Sequence, residues 1–507
     1  MSTPTSRPES ADPDYAPLDA AALEGALALI ESANNLPEDH PDRVRLMFAT
    51  AGLYKSVKKN RRAAARQKVR AADNAVIAAT ATGAPTRIDD ETEGLDLISP
   101  SSGARSAGTL NRAQACYICK AEYTQVDYFY HQLCPNCAEL NHAKRDARTD
   151  LRGKRALLTG GRAKIGMHIA LRLLRDGAHL TITTRFPGDA IRRFKALEDS
   201  GDWIGRLKIV GIDLRDPAQV VALADEVASD GPLDILINNA AQTVRRSKGA
   251  YAPLVEAENA PLPSGLLPQY VRLGRSFDAH PEALEGQVHP GVHGNPLEIA
   301  PVNPSVTTPE LLTKLAMTAG SASLERVATG TAIDAGGLVP DLVHTNSWVQ
   351  GVESIDPLEL LEVQLCNSTA PFILISRLRE SMRAAVAAGA HRAYVVNVSA
   401  MEGVFNRGYK GPGHPHTNMA KAALNMLTRT SAREMFESDS ILMTSVDTGW
   451  ITDERPHTTK ARLAEEGFHA PLDLVDGAAR VYDPIVRGES GEDLFGCFLK
   501  DYAPSSW

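Results

Sequence analysis

A glycine-rich segment at residues 159–166 has the residue types that hold a phosphate group. A short apolar run at 156–159 precedes it as a buried strand, and a helical pattern opens at Ile165. Small residues let a diphosphate approach the backbone, and the free N–H groups of a first helical turn point at it. The segment therefore predicts a nucleotide site, although a glycine turn alone is a weak signal of one.

Four of the six cysteines fall into two Cys-x-x-Cys pairs. The pairs are Cys116 with Cys119 and Cys134 with Cys137. Four thiolates at this separation suit a tetrahedral Zn²⁺, and four protein ligands leave no open position for a substrate, so we expect a structural Zn²⁺. A redox dithiol is the alternative for one pair, but two pairs together favour the metal. His131 and His142 are spare candidate ligands, and each is more typical of a packing or surface histidine.

Composition narrows the classes of function. The chain has 507 residues, 43% of them hydrophobic, and a formal net charge of −8, which argues against nonspecific nucleic-acid binding by the whole protein. We expect no membrane span, because no apolar run approaches the ~20 residues that one needs. The first fifteen residues lack the apolar core of a secretory signal, and the sparse cysteines suit a reducing compartment, so we expect a cytoplasmic protein.

The chain divides into three regions. Residues 1–110 form a helical, partly disordered N-terminal region, with disorder at 1–15, two or three helices at 17–57 and a linker at 82–112. Residues 55–70 carry eight basic residues and no acid; a solvated helix face and a nucleic-acid or protein patch both remain open. Residues 111–146 form a small zinc-binding module with four cysteine ligands, whose intervening aromatic segment suits a small hairpin. Residues 147–507 form the third region.

In this third region strand and helix patterns alternate. The strand-like stretches are 180–183, 207–212, 235–238, 394–398 and 441–446, and the helix-like ones are 166–175, 217–228, 357–382 and 419–436. Such alternation predicts an α/β fold, a Rossmann-like doubly wound parallel sheet with helices on both faces. A long insert at 242–355, rich in proline and glycine, interrupts the pattern. We interpret it as a lid or subdomain, since an ordered domain seldom holds so long a structureless loop.

On these motifs the chain resembles the short-chain dehydrogenase/reductase family, over roughly residues 151–507 without the insert. Residues 159–166, TGGRAKIG, are similar to the family's TGxxxGxG turn, with Lys164 at the middle glycine. That lysine can contact a phosphate or crowd the turn. Residues 238–241, NNAA, resemble the family's NNAG, and residues 446–452 resemble its segment beside the nicotinamide, with Thr448 in place of proline and Thr452 one residue early.

The resemblance also implies a cofactor and its site. Arg185 stands where the family reads the adenosine ribose, and an arginine there pairs with a 2′-phosphate, so NADP is favoured over NAD. Asp213 with Leu214 resembles the family's adenine-contacting pair. The cofactor-binding residues implied are Thr159, Gly160, Arg162, Ile165, Gly166, Arg185, Asp213, Leu214, Asn239, Ala240, Lys421 and Gly449.

The catalytic end departs from the family pattern. Asn367 and Lys421 match the family's asparagine and lysine. Ser399 lies one place early, with Ala400 at the serine position, and would polarise the substrate oxygen. Thr417 stands where the tyrosine should be, and an alkyl hydroxyl is a far weaker acid than a phenol.

Another group must then supply the proton. Tyr409, His414 and His416 lie on the loop and helix start just before Thr417. We rank Tyr409 and His416 equally and Thr417 behind them, because a phenol or an imidazole can carry a proton near neutral pH.

These observations predict an NADP-dependent oxidoreductase that transfers a hydride between NADP(H) and a small carbonyl or alcohol substrate. The alternative is a non-catalytic NADP-binding scaffold or sensor, whose zinc module and basic helix bind a protein or nucleic acid. The family resemblance further implies a homo-oligomer. The missing serine and tyrosine favour the scaffold, whereas the retained Asn367 and Lys421 favour the enzyme.

Overall fold

The computed structural model describes most of the chain. The described residues are 19–85, 87, 105–246, 248–276, 337–338, 345–451, 459, 462–463 and 466–507. The predicted disordered start at 1–15, most of the predicted linker and most of the insert lie outside them, as do Thr452 and much of the segment that follows it. By its contacts the chain divides into two compact units, Met1–Asn74 and Ala75–Trp507.

The described residues of the N-terminal unit, 19–74, lie mostly in two helices. Helix α1 covers Ala20–Ala33 and begins at Asp19, whose carboxylate accepts a hydrogen bond from the N–H of Ala22. Helix α2 covers Pro41–Ala78 and carries the basic stretch. The basic side chains of residues 55–70 are exposed, as on a solvated helix face.

A small hairpin with a helix carries the four cysteines. Strand β1, Ser106–Ala115, pairs antiparallel with β2, Glu122–Asp127, and helix α3 covers Pro135–Asp146. The sequence placed a hairpin between the two cysteine pairs, whereas in the structure the first pair forms the turn of the hairpin. Residues 106–112 of the predicted linker lie in β1. Half of the residues of β1 are exposed and only Leu110 is buried, so its sequence lacks the apolar alternation that would predict a strand. We call residues 105–146 the knuckle module.

The Rossmann-like parallel sheet is confirmed. Among the described residues one sheet has the strand order β11-β10-β9-β8-β6-β3-β4-β5-β7, parallel throughout except for the β10–β11 pair. Its strands are β3 Arg155–Leu158, β4 His179–Thr184, β5 Leu207–Gly211, β6 Ile235–Asn238, β7 Gln269–Arg272, β8 Ala393–Ser399, β9 Ile441–Asp447, β10 Phe498–Lys500 and β11 Ala503–Ser505. Strands β6, β8 and β9 are buried along their whole length, because helices cover both faces. The order reverses at β3, which creates a crevice between β3 and β6 at the carboxyl ends of the strands.

The helices cover the sheet in two layers. They are α4 Lys164–Arg175, α5 Pro187–Lys195, α6 Pro217–Ser229, α7 Ala252–Asn259, α8 Pro357–Gln364, α9 Ala370–Ala387, α10 Pro415–Asp439 and α11 Leu474–Glu489, with a π-helical turn, Leu365–Thr369, between α8 and α9. One core cluster joins the sheet to α4 and α11, and the other joins it to α6, α9 and α10. Successive strand residues Leu157 and Leu158 belong to opposite clusters, as the alternation of a strand requires.

The continuous helical stretch Pro357–Ala387 is long and apolar enough to cross a membrane by length and composition alone. Half of its apolar window is buried inside the protein, which is the pattern of a core helix. This stretch packs on α6 and the sheet through Leu374 and Leu378.

The knuckle module docks on α11 through buried charges. Arg145 lies 2.6 Å from Asp473 and 3.0 Å from Asp476, and both carboxylates are fully buried. The hydroxyl of Tyr130 donates to Asp476 at 2.6 Å. The residue of α3 just before Arg145, Lys144, pairs through its amino group with Asp483, about two turns beyond Asp476 on α11. Because a buried charge needs a partner, these ion pairs fix the module on this face of the domain.

Replacing Arg145 with methionine should lower the free energy of unfolding by about 3–5 kcal/mol, because the change leaves two buried carboxylates without their cation. Urea denaturation followed by circular dichroism measures the loss. Arg152→Met is the control, since Arg152 pairs with Asp150 on the surface and its removal should leave the midpoint unchanged. Equal losses in the two variants would contradict the buried cluster.

Candidate nucleotide cleft, catalytic corner and metal site

Close backbone contacts require the glycines of the turn between β3 and α4. Gly160 has φ +71°, and a Cβ there would lie 3.0 Å from the Cα of Ala240. A Cβ on Gly166 would lie 1.9 Å from the carbonyl oxygen of Gly160. Neither position has room for a side chain, so the turn brings the start of α4 against the end of β6.

Lys164 occupies the middle glycine position of the turn with a left-handed backbone. Its φ is +52°, a conformation that costs a residue with a Cβ roughly 1–2 kcal/mol. The lysine also lines the cleft described below. Both alternatives for Lys164 therefore have a basis: the backbone is strained, and the side chain lies at the site where a phosphate would be held.

The hydroxyl of Thr159 joins the glycine turn to the end of β6. It accepts hydrogen bonds from the backbone N–H groups of Asn239 and Ala240, each at 3.0 Å. The side-chain amide of Asn239 donates in return to the carbonyls of Thr159 and Gly160, each at 3.1 Å. These bonds hold the two sides of the crevice at a fixed separation.

A cleft of about 410 Å³ lies at this crevice, at the carboxyl ends of β3 to β6. Nine residues that the sequence assigned to the cofactor line it: Gly160, Arg162, Ile165, Gly166, Arg185, Asp213, Leu214, Asn239 and Ala240. The other three, Thr159, Lys421 and Gly449, do not. Sequence reasoning missed several lining residues, among them Phe186, Arg215, Arg246, Tyr251 and Cys366.

Two aromatic rings hold Arg185 at the cleft. Its guanidinium lies 4.6 Å from the ring centre of Tyr251 and 5.4 Å from that of Phe186, and the two rings stack at 6.0 Å. The neighbouring cation Arg162 is paired with the buried carboxylate of Asp189. Tyr251 belongs to the insert, whose lack of periodicity concealed it.

The carboxylate of Asp213 is engaged within the protein. Both of its oxygens accept from Arg215, at 2.7–3.2 Å, and Arg215 also donates to Glu362 of α8 at 2.9 Å. The second oxygen of Glu362 accepts from the side chain of Gln242. This buried network joins the cleft to α8, and no sequence motif signals it.

The predicted catalytic residues Asn367, Ser399, Thr417 and Lys421 form what we call the catalytic corner, and all four are buried. Asn367 lies in the π-helical turn, and its side chain makes two hydrogen bonds to the backbone of Gln242, at 2.7 and 2.8 Å. The amino group of Lys421 donates to the carbonyl of Val398 at 2.8 Å, and burial lowers the pKa of Lys421 to about 8. The hydroxyl of Ser399 has no hydrogen-bond partner among the described residues.

Thr417 lies against the chain that follows β6. Its hydroxyl donates to the carbonyl of Thr243 at 3.3 Å. Gln242 and Thr243 also line the cleft, so one short segment contacts both the cleft and the catalytic corner. The side chains of the corner do not themselves line the cleft.

The three candidate proton donors occupy different environments. Tyr409 is 77% exposed, whereas His416 is 1% exposed. His414 stacks on Trp348 at 4.0 Å and contacts its carbonyl at 2.8 Å. The imidazole of His416 lies 4.0 Å from the carboxylate of Glu359, and neither ring nitrogen has a hydrogen-bond partner in the part of the chain that the structure describes. Burial lowers the pKa of His416 and raises the pKa of Glu359.

Gly449 lies in a turn after β9 that contacts the knuckle module. Its φ is +79°, and its N–H donates to Asp447 at 3.3 Å. Burial, together with the nearby Asp501, raises the pKa of Asp447 to about 6. The next residue, Trp450, donates its backbone N–H to the hydroxyl of Tyr117 at 3.0 Å.

The four predicted metal ligands converge on one point. The sulfur atoms of Cys116, Cys119, Cys134 and Cys137 all lie within 4.8 Å of one another, and the sulfurs of Cys119 and Cys134 are 3.6 Å apart. A tetrahedral Zn²⁺ with bonds of about 2.3 Å would place its sulfurs about 3.8 Å apart, so the donor set fits the ion.

Hydrogen bonding from the Ala121 backbone lowers the pKa of Cys119 to about 7, whereas burial raises the pKa of Cys134 and of Cys137. The two spare histidines lie outside the cluster, since His131 bonds Thr82 at 2.8 Å and His142 pairs with Asp127 at 3.1 Å.

A family model and several individual proteins match the sequence. A sequence model of the family described as short chain dehydrogenase matches residues 154–254. The uncharacterized protein R665 of Acanthamoeba polyphaga mimivirus is 30% identical over 382 residues, which is 73% of this chain and 71% of the relative. A probable oxidoreductase of Streptomyces antibioticus is 41% identical over 91 residues, which is 18% of this chain and 30% of that protein. The fatty acyl-CoA reductase of Acinetobacter baylyi is 35% identical over 101 residues, 20% of this chain and 33% of that protein.

Solved structures are similar at low identity. The Pseudomonas aeruginosa RhlG/NADP active-site complex is 18% identical and covers 69% of this chain and 95% of its own, with a TM-score of 0.41. NADPH bound carbonyl reductase from chicken fatty liver is 17% identical and covers 70% and 100%, with a TM-score of 0.40.

The sequence motifs, the strand order around β3 and the match at 154–254 agree, and the likeness to R665 extends over most of both chains. The chain therefore belongs to one family with R665, and its residues 154–254 are those of a short-chain dehydrogenase.

Proposed function

We propose that this protein is an NADP(H)-dependent oxidoreductase that transfers a hydride between the cofactor and a small carbonyl or alcohol substrate. The observation that carries the proposal is the cleft at the β3–β6 crevice, with its glycine turn and the ring-held Arg185. A dinucleotide in this family of folds binds at such a crevice, with its diphosphate at the first turn of the helix.

The charged residues at the cleft favour the binding of NADP over that of NAD. Strand β4 ends in Thr183 and Thr184, so no carboxylate stands where it would accept bonds from a free 2′-hydroxyl. The nearby Asp189 is paired with Arg162 and with Arg193. Arg185 is therefore the group we assign to the 2′-phosphate, since its planar guanidinium can donate two parallel hydrogen bonds to phosphate oxygens.

The catalytic corner supplies the groups that handle the proton. When bound, NADP(H) would supply or accept the hydride. Lys421 would hold the nicotinamide ribose, and its lowered pKa lets it exchange a proton near neutral pH. Ser399, with its unpartnered hydroxyl, would donate to the substrate oxygen. Asn367 would keep the segment after β6 in place through its two bonds to Gln242.

Among the candidate donors we assign the proton to His416. Tyr409 is on the surface, and the hydroxyl of Thr417 is used by Thr243. His416 is buried without a hydrogen-bond partner among the described residues, so its ring nitrogens are free to exchange a proton, and its imidazole lies 4.0 Å from the carboxylate of Glu359.

The knuckle module would hold a structural Zn²⁺. Four thiols packed together in a partly buried cluster cannot all ionise without a cation, and a divalent metal removes that penalty. Such a site suits a reducing compartment such as the cytoplasm, and the structure shows all six cysteines as free thiols.

One observation favours the scaffold or sensor as a second function. The catalytic corner is closed by the protein's own chain, because Asn367 and Thr417 are both bonded to the segment at Gln242 and Thr243. A protein that binds NADP(H) without turning over substrate would need no access to this corner. Tight NADPH binding without turnover of any carbonyl would support this second function.

Arg185→Ala should weaken NADPH binding about tenfold or more and leave NADH binding nearly unchanged, because only NADPH carries the 2′-phosphate. Isothermal titration calorimetry with both cofactors measures the difference. Arg192→Ala is the matched control, since Arg192 lies on α5 and bonds the carbonyl of Ala260 rather than lining the cleft. Equal losses for both cofactors would remove the assignment.

His416→Asn should lower turnover by about 10² to 10⁴ with little change in NADPH affinity. Its pKa lies below the ordinary value, so the protonated form is lost as pH rises through the acid range; carbonyl reduction should decline there, well before a second decline near pH 8 from Lys421. The pH profile of the variant should lack the decline in the acid range and keep the decline near pH 8. His414→Asn and Tyr409→Phe are the controls, and full activity in His416→Asn would show that the donor is another group.

The purified protein should carry one Zn²⁺ per chain. Elemental analysis should find no zinc in a Cys116→Ser, Cys134→Ser double variant, because two of the four ligands are gone. Cys497→Ser should keep the full complement, as this cysteine lies outside the cluster. Zinc retained in the double variant would exclude the proposed ligands.

A further inference from the structure

The side chain of Tyr117 bonds the knuckle module to the turn that follows β9. This tyrosine lies between Cys116 and Cys119, inside the first cysteine pair. Its backbone N–H donates to the carbonyl of Gln132 at 2.8 Å, which fixes it within the module. Its hydroxyl accepts the backbone N–H of Trp450 at 3.0 Å, which lies 333 residues away in the chain.

The turn that Tyr117 contacts has little freedom. Gly449 has φ +79°, and a Cβ there would lie 2.6 Å from the side chain of Leu472. Ile451 and Leu472 belong to the same core cluster as Val126 and Leu133 of the module. The turn after β9 is therefore packed directly on the module.

The same cluster reaches the wall of the cleft. Ile165 lines the cleft at the first turn of α4 and packs against this cluster. A Cβ on Gly477 of α11 would lie 2.3 Å from Ile451 and 3.4 Å from Ile165, so the two isoleucines and α11 meet at one point. A displacement of the turn would move Ile451, and the close packing would pass that displacement to Ile165.

We propose that Tyr117 is a positioning residue: its hydroxyl holds the Gly449–Trp450 turn, so that the metal-binding knuckle sets the geometry of the dinucleotide cleft. This rests on the proposed function only for the identity of the dinucleotide. The contact can be removed without undocking the module, because Arg145, Lys144 and Tyr130 hold the module on α11 independently.

The test compares two tyrosine-to-phenylalanine variants of the full-length protein. Tyr117→Phe removes the bond to Trp450 and keeps the ring. Tyr123→Phe is the matched control, because its hydroxyl bonds only within the module, to the carbonyl of His131 at 3.0 Å and the side chain of Gln114 at 2.6 Å. Zinc content, thermal midpoint, NADPH affinity and hydrogen exchange of the peptide covering residues 447–451 are measured for each.

In Tyr117→Phe we expect faster exchange at residues 449–451 and roughly fivefold weaker NADPH binding, the effect of one hydrogen bond, with zinc content unchanged. Tyr123→Phe should match the wild type in both. Unchanged exchange in Tyr117→Phe, or faster exchange with unchanged NADPH affinity, overturns the proposal. Equal effects in the two variants also overturn it, since they would reflect a general loosening of the module.

Two further outcomes are distinguished from a failure of the Tyr117 proposal. If the wild-type protein binds no NADPH, the proposed function fails, and the exchange measurement alone decides whether Tyr117 holds the turn. If Tyr117→Phe does not fold, zinc is removed from the wild-type protein with a chelator. Exchange should then rise at residues 449–451 and not in the buried strand β8, and protection retained at 449–451 overturns the proposal.

Discussion

The docking of the knuckle module depends on one buried ion cluster. Arg145 lies between Asp473 and Asp476, which are also the capping box that begins α11. Burial alone would raise the pKa of both carboxyls, but Arg145 keeps the pKa of Asp473 below its ordinary value, while burial and the charge of Asp473 raise that of Asp476. A second arginine, Arg87, donates to the carbonyls of Ala470 and Leu472 just before the helix. Two buried arginines therefore bond the start of α11 and the segment just before it, one from the module and one from residue 87.

Parts of the insert contact the domain both at the cleft and at the start of α10. Its first described part contributes Tyr251 beside Arg185 and strand β7 beside β5. Its last part brings Trp348 onto His414 at the start of α10. At the start of the insert, Gln242 bonds both Asn367 and Glu362. The insert is thus built into the cleft through Tyr251 and into the catalytic corner through Gln242 and Thr243.

Local signals predicted much of this structure. Strand β6 was predicted residue for residue, because a buried apolar run between turns has few other interpretations. The four cysteines are close in sequence, so their spacing was enough to predict the cluster. Helix α11 was missed because it buries Asp476, Arg480 and Asp483 along with its apolar face, and such charges hide an amphipathic pattern.

The members of the catalytic corner are still predictions from the sequence, which contained nothing about their environment. The sequence named Tyr409 and His416 with equal weight, and only the fold separates an exposed phenol from a buried imidazole. The sequence also could not show that Arg215 bonds Glu362, because the two residues lie 147 positions apart in the chain. Contacts of this length come from topology, which no local pattern contains.

The long separation between the module and its docking face has a consequence for the order of folding. The cysteine cluster spans only residues 116–137 and can close as soon as that segment has been synthesised. Asp476 of α11, which accepts the hydrogen bond from Tyr130, lies 346 residues later in the chain. During synthesis the surface formed by Val126, Tyr130 and Leu133 therefore stays exposed to solvent until nearly the whole chain has been made. An early metal site would keep the hairpin folded through that interval, so that the final step is the docking of a finished surface rather than the folding of a loose one.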